Sequence, residues 1–101
     1  MTERVRLSNR RPSELIDFEF RGRPYILGLS RYRDGRVSEV FIDAPKAATD
    51  AGSDARDAAV ALRIAFQHGV PADAIRAAVT READGTAAGI VGAALDIIAG
   101  G

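Results

Sequence analysis

The sequence predicts an α+β fold: a three-stranded antiparallel β-meander followed by three α-helices packed on one face of the sheet. Two observations predict it. Apolar and polar residues alternate with a period of two in the first half, and alanine-rich segments with three- and four-residue spacing follow Pro45. A chain of 101 residues has room for a single hydrophobic core. We therefore expect one α+β domain over residues 14–101, preceded by a flexible polar arm over residues 1–13.

The three strands are predicted from the alternation and from two turns. The first strand begins at Glu14, the second covers residues 25–32 and the third covers residues 36–43. A turn over residues 21–24 joins the first pair. Asp34-Gly35 joins the second pair, because glycine tolerates the positive φ of a tight hairpin. Strands joined in this way form a meander, and only helices remain to cover its buried face.

The second strand has two distinct faces in the predicted pattern. Tyr25, Leu27 and Leu29 fall on one face, which we expect to be buried. Gly28 falls on the opposite face. A glycine inside a strand indicates a bulge or a close approach by another element.

The first helix is expected to begin after an N-cap at Ser53 and to end at Gly69, which fits the left-handed position after a helix. Its apolar face is mostly alanine, so it can lie close to its neighbour, and Val60 and Ile64 are expected to widen that face.

The second and third helices are expected over residues 71–79 and 87–99. Pro71 is favoured at a first helical position. The second helix is expected to bury four residues, namely Ala74, Ile75, Ala78 and Val79. Gly92 lowers the stability of the third helix by about 1 kcal/mol relative to alanine, which is tolerable if a neighbouring backbone packs there.

Charge is balanced overall but divided between the two halves. Residues 1–36 have a net charge of +4 and residues 37–101 have −4. The balanced total attracts neither nucleic acid nor an acidic membrane, and a stacking platform for single strands is not expected because the phenylalanines are predicted to lie in the core. The apolar run 90–99 is too short to span a bilayer, which needs about 20 residues. We expect no membrane association and a cytoplasmic location.

The residues offer little for catalysis. The chain has no cysteine, which excludes thiol nucleophiles and cysteine-ligated metals. His68 is the only histidine, and near the end of a helix it is expected to interact with the helix dipole. We predict no catalytic residue, no metal site and no cofactor.

The best candidate binding site is the strand-to-helix loop over residues 43–54. It precedes a helix N-terminus and contains the only lysine, so backbone N–H groups and Lys46 could meet an anion there. The candidate residues for binding a ligand or partner are Asp43, Lys46, Thr49, Asp50 and Ser53 of this loop, with Arg31 and Arg33 of the sheet. Asp50 and the neighbouring Asp54 would repel the same anion.

Two stretches of the chain resemble a known family. They are residues 35–55, with the strand Glu39-Val40-Phe41-Ile42 and the following Lys46 and Gly52-Ser53, and residues 65–75, with His68-Gly69-Val70-Pro71. Together they resemble the TSCPD domain, which occurs at the C-terminus of adenosylcobalamin-dependent (class II) ribonucleotide reductases and as a standalone protein. The resemblance covers about residues 24–99. It departs at residues 86–89, where Thr-Ala-Ala-Gly replaces the cysteine and proline of the family's naming motif.

The resemblance implies a non-catalytic accessory or interaction module linked to deoxyribonucleotide synthesis. Its partner would be a class II ribonucleotide reductase or another protein. The reductase's own chemistry needs a large barrel, a cobalamin site and active-site cysteines, which a chain of this length and composition cannot hold. A homodimer is a further expectation, because a three-stranded sheet has two edges. The alternative function is a small-ligand or nucleotide-binding protein that binds its anion in the loop 43–54.

Overall fold

Regular alternation of side chains builds the predicted meander. The computed structural model describes residues 14–44 and 50–100. Strands β1 (Glu14–Phe20), β2 (Arg23–Arg31) and β3 (Val37–Asp43) form one antiparallel sheet in the order β1-β2-β3. The arm predicted over residues 1–13, and Lys46 and Thr49 of the candidate loop, lie outside the described residues.

Both hairpin turns fall where the sequence indicated, but the first is shorter than predicted, because Arg23 and Pro24 already belong to β2. Arg21 and Gly22 join β1 to β2 with φ values of 53° and 76°, so two consecutive left-handed residues reverse the chain as in a tight hairpin. Gly35 has a φ of 95° in the connection between β2 and β3. The pairing of β2 with β3 shifts by one residue between Ser30 and Arg31.

The sheet has an inner face that is buried and an outer face that is partly exposed. Five side chains of the inner face belong to the core, namely Tyr25, Leu27, Leu29, Val40 and Ile42. The outer face carries Leu15 and Phe41, which are 79% and 53% exposed. Phe41 is therefore not a core residue, contrary to the expectation for the phenylalanines. Side chains alternate between the two faces along β3, so Phe41 lies on the outer face while its neighbours Val40 and Ile42 lie on the inner face.

Helix α1 (Asp50–Gln67) packs against β3. The predicted cap at Ser53 is wrong, because α1 already begins at Asp50 and Ser53 lies in its first turn. Gly52 is buried one turn before Ala55, and α1 includes it despite the low helix propensity of glycine. Gly69, with a φ of 85°, follows the end of α1 as predicted.

The apolar face of α1 is narrower than the sequence indicated. Four apolar residues of this helix are buried, namely Ala55, Ala59, Leu62 and Phe66. Val60 and Ile64 do not widen this face, since they are 41% and 51% exposed on the opposite side of the helix. A single stripe of contact with the sheet is enough to hold a long helix, and its far side faces solvent.

Helices α2 (Ala72–Ala78) and α3 (Ile90–Ile98) are shorter than predicted. Pro71 and Gly89 are their N-caps, in extended conformation, rather than helical residues. None of the residues of α2 is fully buried, and Ala74 and Ala78 are exposed. Ala94 and Leu95 of α3 complete the core together with α1 and the inner face of the sheet.

Gly92 allows a close approach that a larger residue would hinder. A Cβ atom at this position would lie 3.1 Å from the Cβ of Ala87 and 3.2 Å from a methyl group of Val79. The α2–α3 connection, residues 79–89, therefore packs against the first turn of α3. This close packing compensates for the glycine inside the helix, as expected from the sequence.

Candidate functional site

The predicted loop site is only partly assembled within the described residues. Asp43 accepts hydrogen bonds from its neighbour's amide, Ala44 N–H, at 2.9 Å and from Nη1 of Arg56 at 2.8 Å. Nη2 of the same arginine lies 3.5 Å from Oγ of Ser53. Arg56 thus brings Asp43 and Ser53 together, and Asp50 is exposed at the start of α1. The anion site predicted over 43–54 stays a prediction, because its only lysine lies outside the described residues.

Arg31 lies at the opposite end of the sheet from Asp43. Asp43 pairs with Ile26, and Arg31 is five residues further along β2, which corresponds to about 16 Å at the rise of a strand. Arg33 is exposed in the connection between β2 and β3. The two sheet arginines therefore belong to a different surface from the loop residues, and the predicted set does not form one cluster.

Arg31 instead faces a cavity at the ends of three helices. We call it the hairpin cavity. It has a volume of about 280 Å³ and lies between the β2–β3 hairpin, the end of α1, the start of α2 and the end of α3. Arg31 donates from Nη1 to the carbonyl of Gly35 at 2.9 Å and from Nη2 to the carbonyl of Ile98 at 3.2 Å. These two bonds fix the hairpin to the C-terminal end of α3.

Two further arginines, which the sequence analysis did not single out, line the hairpin cavity. Arg36 donates from Nε to Asp34 at 2.8 Å, and its guanidinium lies 5.1 Å from the ring centroid of Tyr32. Arg76 donates from Nε to Asp96 at 2.8 Å. The closeness of Arg36 to the Asp34-Gly35 turn was the available signal in the sequence. Arg76 had none, because its place depends on how α2 packs on α3.

The floor of the hairpin cavity is apolar. Its lining includes four large apolar side chains, namely Val37, Phe66, Leu95 and Ile98. Asp73 is the single acidic residue of the lining. Apolar walls with a few convergent polar groups are typical of small-molecule sites, although this volume is at the small end of their range.

Ion pairs hold the cavity's outer wall in place. Arg76 and Arg81 both donate to Asp96, and these hydrogen bonds lower the pKa of that carboxyl from 3.8 to about 2, with the Arg81 bonds as the largest cause. Arg81 also donates to the carbonyl of Arg76 at 3.2 Å. Asp96 therefore remains ionised over the whole physiological range and ties α2 and its following connection to α3.

The outer face of the sheet is the second candidate surface. Leu15, Gly28 and Phe41 occupy one row across the three strands. Leu15 and Phe41 converge over the glycine, because a Cβ placed there would lie 3.4 Å from a methyl group of Leu15 and 3.7 Å from Phe41. These are ordinary van der Waals distances and the strand pairing is regular at Gly28, so the described residues show neither the bulge nor the close approach that the sequence indicated there. We call Leu15, Ile26, Gly28 and Phe41 the outer patch.

The surroundings of the outer patch are acidic on the β1 side. All three charged residues of β1 are acidic and exposed, namely Glu14, Asp17 and Glu19. On the β3 side Arg63 of α1 reaches round the sheet edge, with its guanidinium 4.7 Å from the ring centroid of Phe41 and a 3.3 Å hydrogen bond to the carbonyl of Val40. The β3 edge is thus partly covered by α1, whereas β1 pairs only with β2 within the described residues.

Other chemistry finds little support in the described part of the chain. His68 follows α1, and its Nδ1 lies 2.9 Å from the carbonyl of Ile64, which is the helix-end position predicted for it. Residues 14–44 and 50–100 contain no group of three histidine, aspartate or glutamate residues that could hold a metal ion. Over the same residues, no helix is both long and apolar enough to cross a membrane.

Comparison with known proteins does not assign this chain to a family. No protein-family model, no curated protein and no solved structure matches the chain. The resemblance to the TSCPD domain therefore stays a prediction, and the function is argued from the two surfaces.

Proposed function

We propose that this domain is a non-catalytic interaction module that binds a basic, extended polypeptide segment along β1 and over the outer patch. The observation that carries the proposal is the combination of a large apolar exposure at Leu15 with a strand edge that pairs with no strand of residues 14–44 and 50–100 on its outer side and whose charged residues are all acidic. An exposed edge strand offers backbone N–H and C=O groups to an added strand, and alternate side chains of that strand give specificity.

Charge selects the kind of segment that fits. Asp17 and Glu19 lie on the outer face of β1, directly opposite Ile26 and Pro24 of β2. Neither carboxylate forms an ion pair with a described residue. A bound strand with arginine or lysine at alternate positions would place its cations beside these carboxylates. Opposite charges on neighbouring strands contribute roughly 0.2–1 kcal/mol per pair.

A second copy of the chain fits this edge poorly. Antiparallel pairing of β1 with β1 would bring two strands together that each carry three acidic residues and no basic one. Like charges placed opposite each other destabilise a sheet. The homodimer expected from the sequence stays a prediction for other surfaces, and the proposal commits to a basic partner at β1.

The resemblance to the TSCPD domain suggests where the partner is found. We propose that the basic segment belongs to a class II ribonucleotide reductase, or to another protein of deoxyribonucleotide synthesis, which would place the module in the cytoplasm. The loop between α2 and α3 departs from the family's cysteine-proline motif. It contacts the β1–β2 turn, where Arg21 donates to Glu82 at 3.1 Å and to the carbonyl of Ala88 at 2.9 Å, but it contributes no residue to β1 or to the outer patch. The departure therefore does not remove the surface on which the proposal depends.

A labelled peptide tests the binding mode directly. The probe is a fluorescent nine-residue peptide in which arginine alternates with valine, and a second peptide with glutamate in place of arginine is its control. We expect saturable binding of the basic peptide by the full chain, with a dissociation constant of about 1–100 μM because a single added strand buries little surface. We also expect chemical-shift changes of backbone amides concentrated in residues 14–20.

Matched variants separate this binding from non-specific attraction. The double variant Asp17→Asn with Glu19→Gln should weaken binding of the basic peptide about tenfold at low salt. Asp54→Asn with Asp57→Asn removes the same charge from exposed positions of α1 and should leave binding unchanged. Equal effects of the two double variants, or equal binding of the acidic peptide, would refute the proposal. Failure of a purified class II reductase to displace the peptide would remove only the link to deoxyribonucleotide synthesis.

A further inference from the structure

The hairpin cavity carries hydrogen-bond donors that the fold does not use. A guanidinium has five N–H donors. Arg36 and Arg76 each use only Nε–H in a hydrogen bond to a described residue, with Asp34 and Asp96 as the acceptors. The two terminal nitrogens of both side chains therefore donate to no described residue, and each Nε contact orients its guanidinium.

The charges around the cavity favour an anion. Three arginines line it, and Asp73 is the only lining residue of opposite sign. The C-terminal carbonyl groups of α3 also carry partial negative charge, but Arg31 donates to the one on Ile98 and so reduces its effect. N–H donors of the arginines still outnumber the acceptors around the cavity. Asp34 accepts from Arg36 and Asp96 accepts from Arg76, each through Nε–H, and the other N–H groups of these two guanidiniums are not used in this way.

The size and floor of the cavity define the rest of the ligand. A volume of about 280 Å³ holds about nine water molecules, or about as many non-hydrogen ligand atoms. The floor is formed by Val37, Phe66, Leu95 and Ile98, which favour an apolar group over a hydrated one. A nucleotide is too large for this volume, and inorganic phosphate would leave the apolar floor unfilled.

We infer that the hairpin cavity binds a small organic carboxylate of about ten non-hydrogen atoms in all, whose apolar group rests on this floor. The carboxylate lies between Arg36 and Arg76, whose planar guanidinium groups match its two oxygens. The site is separate from the peptide surface proposed above, because it lies at the ends of the helices and not on the outer face of the sheet.

Phenylacetate is the probe, and phenylacetamide is a control of the same shape without charge. We expect phenylacetate to shift the backbone amides of Gly35, Val70, Ala72 and Ala99 of the full chain saturably, with a dissociation constant of about 1 mM or below, as for a ligand of this size. Phenylacetamide should bind about tenfold more weakly or worse, because charge-assisted hydrogen bonds are the stronger ones.

Three arginine variants decide whether the cavity is the site. Arg36→Gln and Arg76→Gln should each weaken binding of phenylacetate about fivefold or more. In the second variant Asp96 keeps Arg81 as a partner. Arg56→Gln removes the same charge near Asp43 and should have no effect. Asp17→Asn with Glu19→Gln should also have none, which separates this inference from the peptide proposal.

Several results would overturn the inference. They are equal binding of the acid and the amide, an effect of Arg56→Gln as large as those of the cavity variants, and shifts confined to residues outside the cavity. The absence of saturable shifts up to the solubility limit of phenylacetate would overturn it as well.

Discussion

Asp96 of α3 accepts two hydrogen bonds from Arg81, at 2.6 Å from Nη1 and 2.9 Å from Nη2. Arg81 belongs to the connection that follows α2, and Arg76 of α2 adds a third bond to the same carboxylate at 2.8 Å. The side chains of Asp96 and Arg81 are 26% and 28% exposed, so water screens the pair only in part. Because none of the residues of α2 is fully buried, this cluster is a main attachment of α2 to the rest of the fold.

Replacement of the carboxylate should therefore cost more than the loss of a surface ion pair. Asp96→Asn keeps one acceptor oxygen but places an amide NH₂ against the two arginines. We expect a loss of about 1–2 kcal/mol in the free energy of unfolding, measured by urea denaturation. Glu82→Gln, which removes the more exposed pair with Arg21, should cost less than about 0.5 kcal/mol. Equal losses would show that the Asp96 cluster does not stabilise the fold.

The lowered pKa of Asp96 makes the same contribution depend on pH. The pKa is about 2 in the folded chain and 3.8 ordinarily, so ionised Asp96 stabilises the folded state fully above about pH 4. This stability is lost as the pH falls through 2. We expect the difference in unfolding free energy between the natural chain and Asp96→Asn to be constant from pH 7 to about pH 4 and to shrink towards pH 2.

Other carboxyls titrate in the same range but do not obscure this difference. Donation from Arg36 lowers the pKa of Asp34, and donation from the amide and hydroxyl of Thr86 lowers the pKa of Asp84. Both groups are present in both proteins, so their effects cancel in the comparison. A difference that stays constant down to pH 2 would contradict the assignment to Asp96.

Gly92 is the position at which helix propensity and packing oppose each other most directly. Alanine would favour α3 by about 1 kcal/mol, but its Cβ would meet Ala87 at 3.1 Å and Val79 at 3.2 Å. Ala87 is held by its bridge with Arg81 and cannot move away easily. Because overpacking costs about 1–3 kcal/mol, we expect Gly92→Ala to lower the stability by about 1 kcal/mol in thermal or urea unfolding.

A control within α3 separates the two effects. Ala93 is half-buried in the same helix, and Ala93→Gly should lower the stability by about 1 kcal/mol through propensity alone. If Gly92→Ala instead raised the stability by a similar amount, the connection between α2 and α3 would not pack tightly on α3.

The strands and turns could be predicted from the sequence because their signals are local. Alternation from Glu14 and the glycine at position 35 depend on neighbouring residues only. The start of α1 could not be predicted from local signals, since α1 begins at Asp50 and includes the buried Gly52, whose helix propensity is low. The exposure of Val60 and Ile64 has a similar cause, because the hydrophobic pattern does not show how much of a helix face its neighbour covers.

The candidate surfaces were harder to predict than the fold. Arg31 was predicted to act together with the loop residues, but it lines the hairpin cavity with Arg36 and Arg76, which are five and forty-five residues away in the sequence. The loop residues Asp43 and Ser53 meet through Arg56, a residue of α1 that the sequence did not single out. Sites formed by several elements depend on tertiary packing, which the pattern of one chain does not contain.

Phe41 and Ile42 are neighbours on β3, and their truncation should lower the stability by very different amounts. Ile42 is 1% exposed on the inner face, so Ile42→Ala should cost about 2–4 kcal/mol through lost burial and a cavity. Phe41 is on the outer face, and Phe41→Ala should cost less than about 1 kcal/mol, mainly through loss of the stacking with Arg63. Urea unfolding of both variants measures the difference. A loss of 2 kcal/mol or more at Phe41 would mean that the outer patch belongs to the packed core, and a surface needed for stability in that way would not be open to a partner strand.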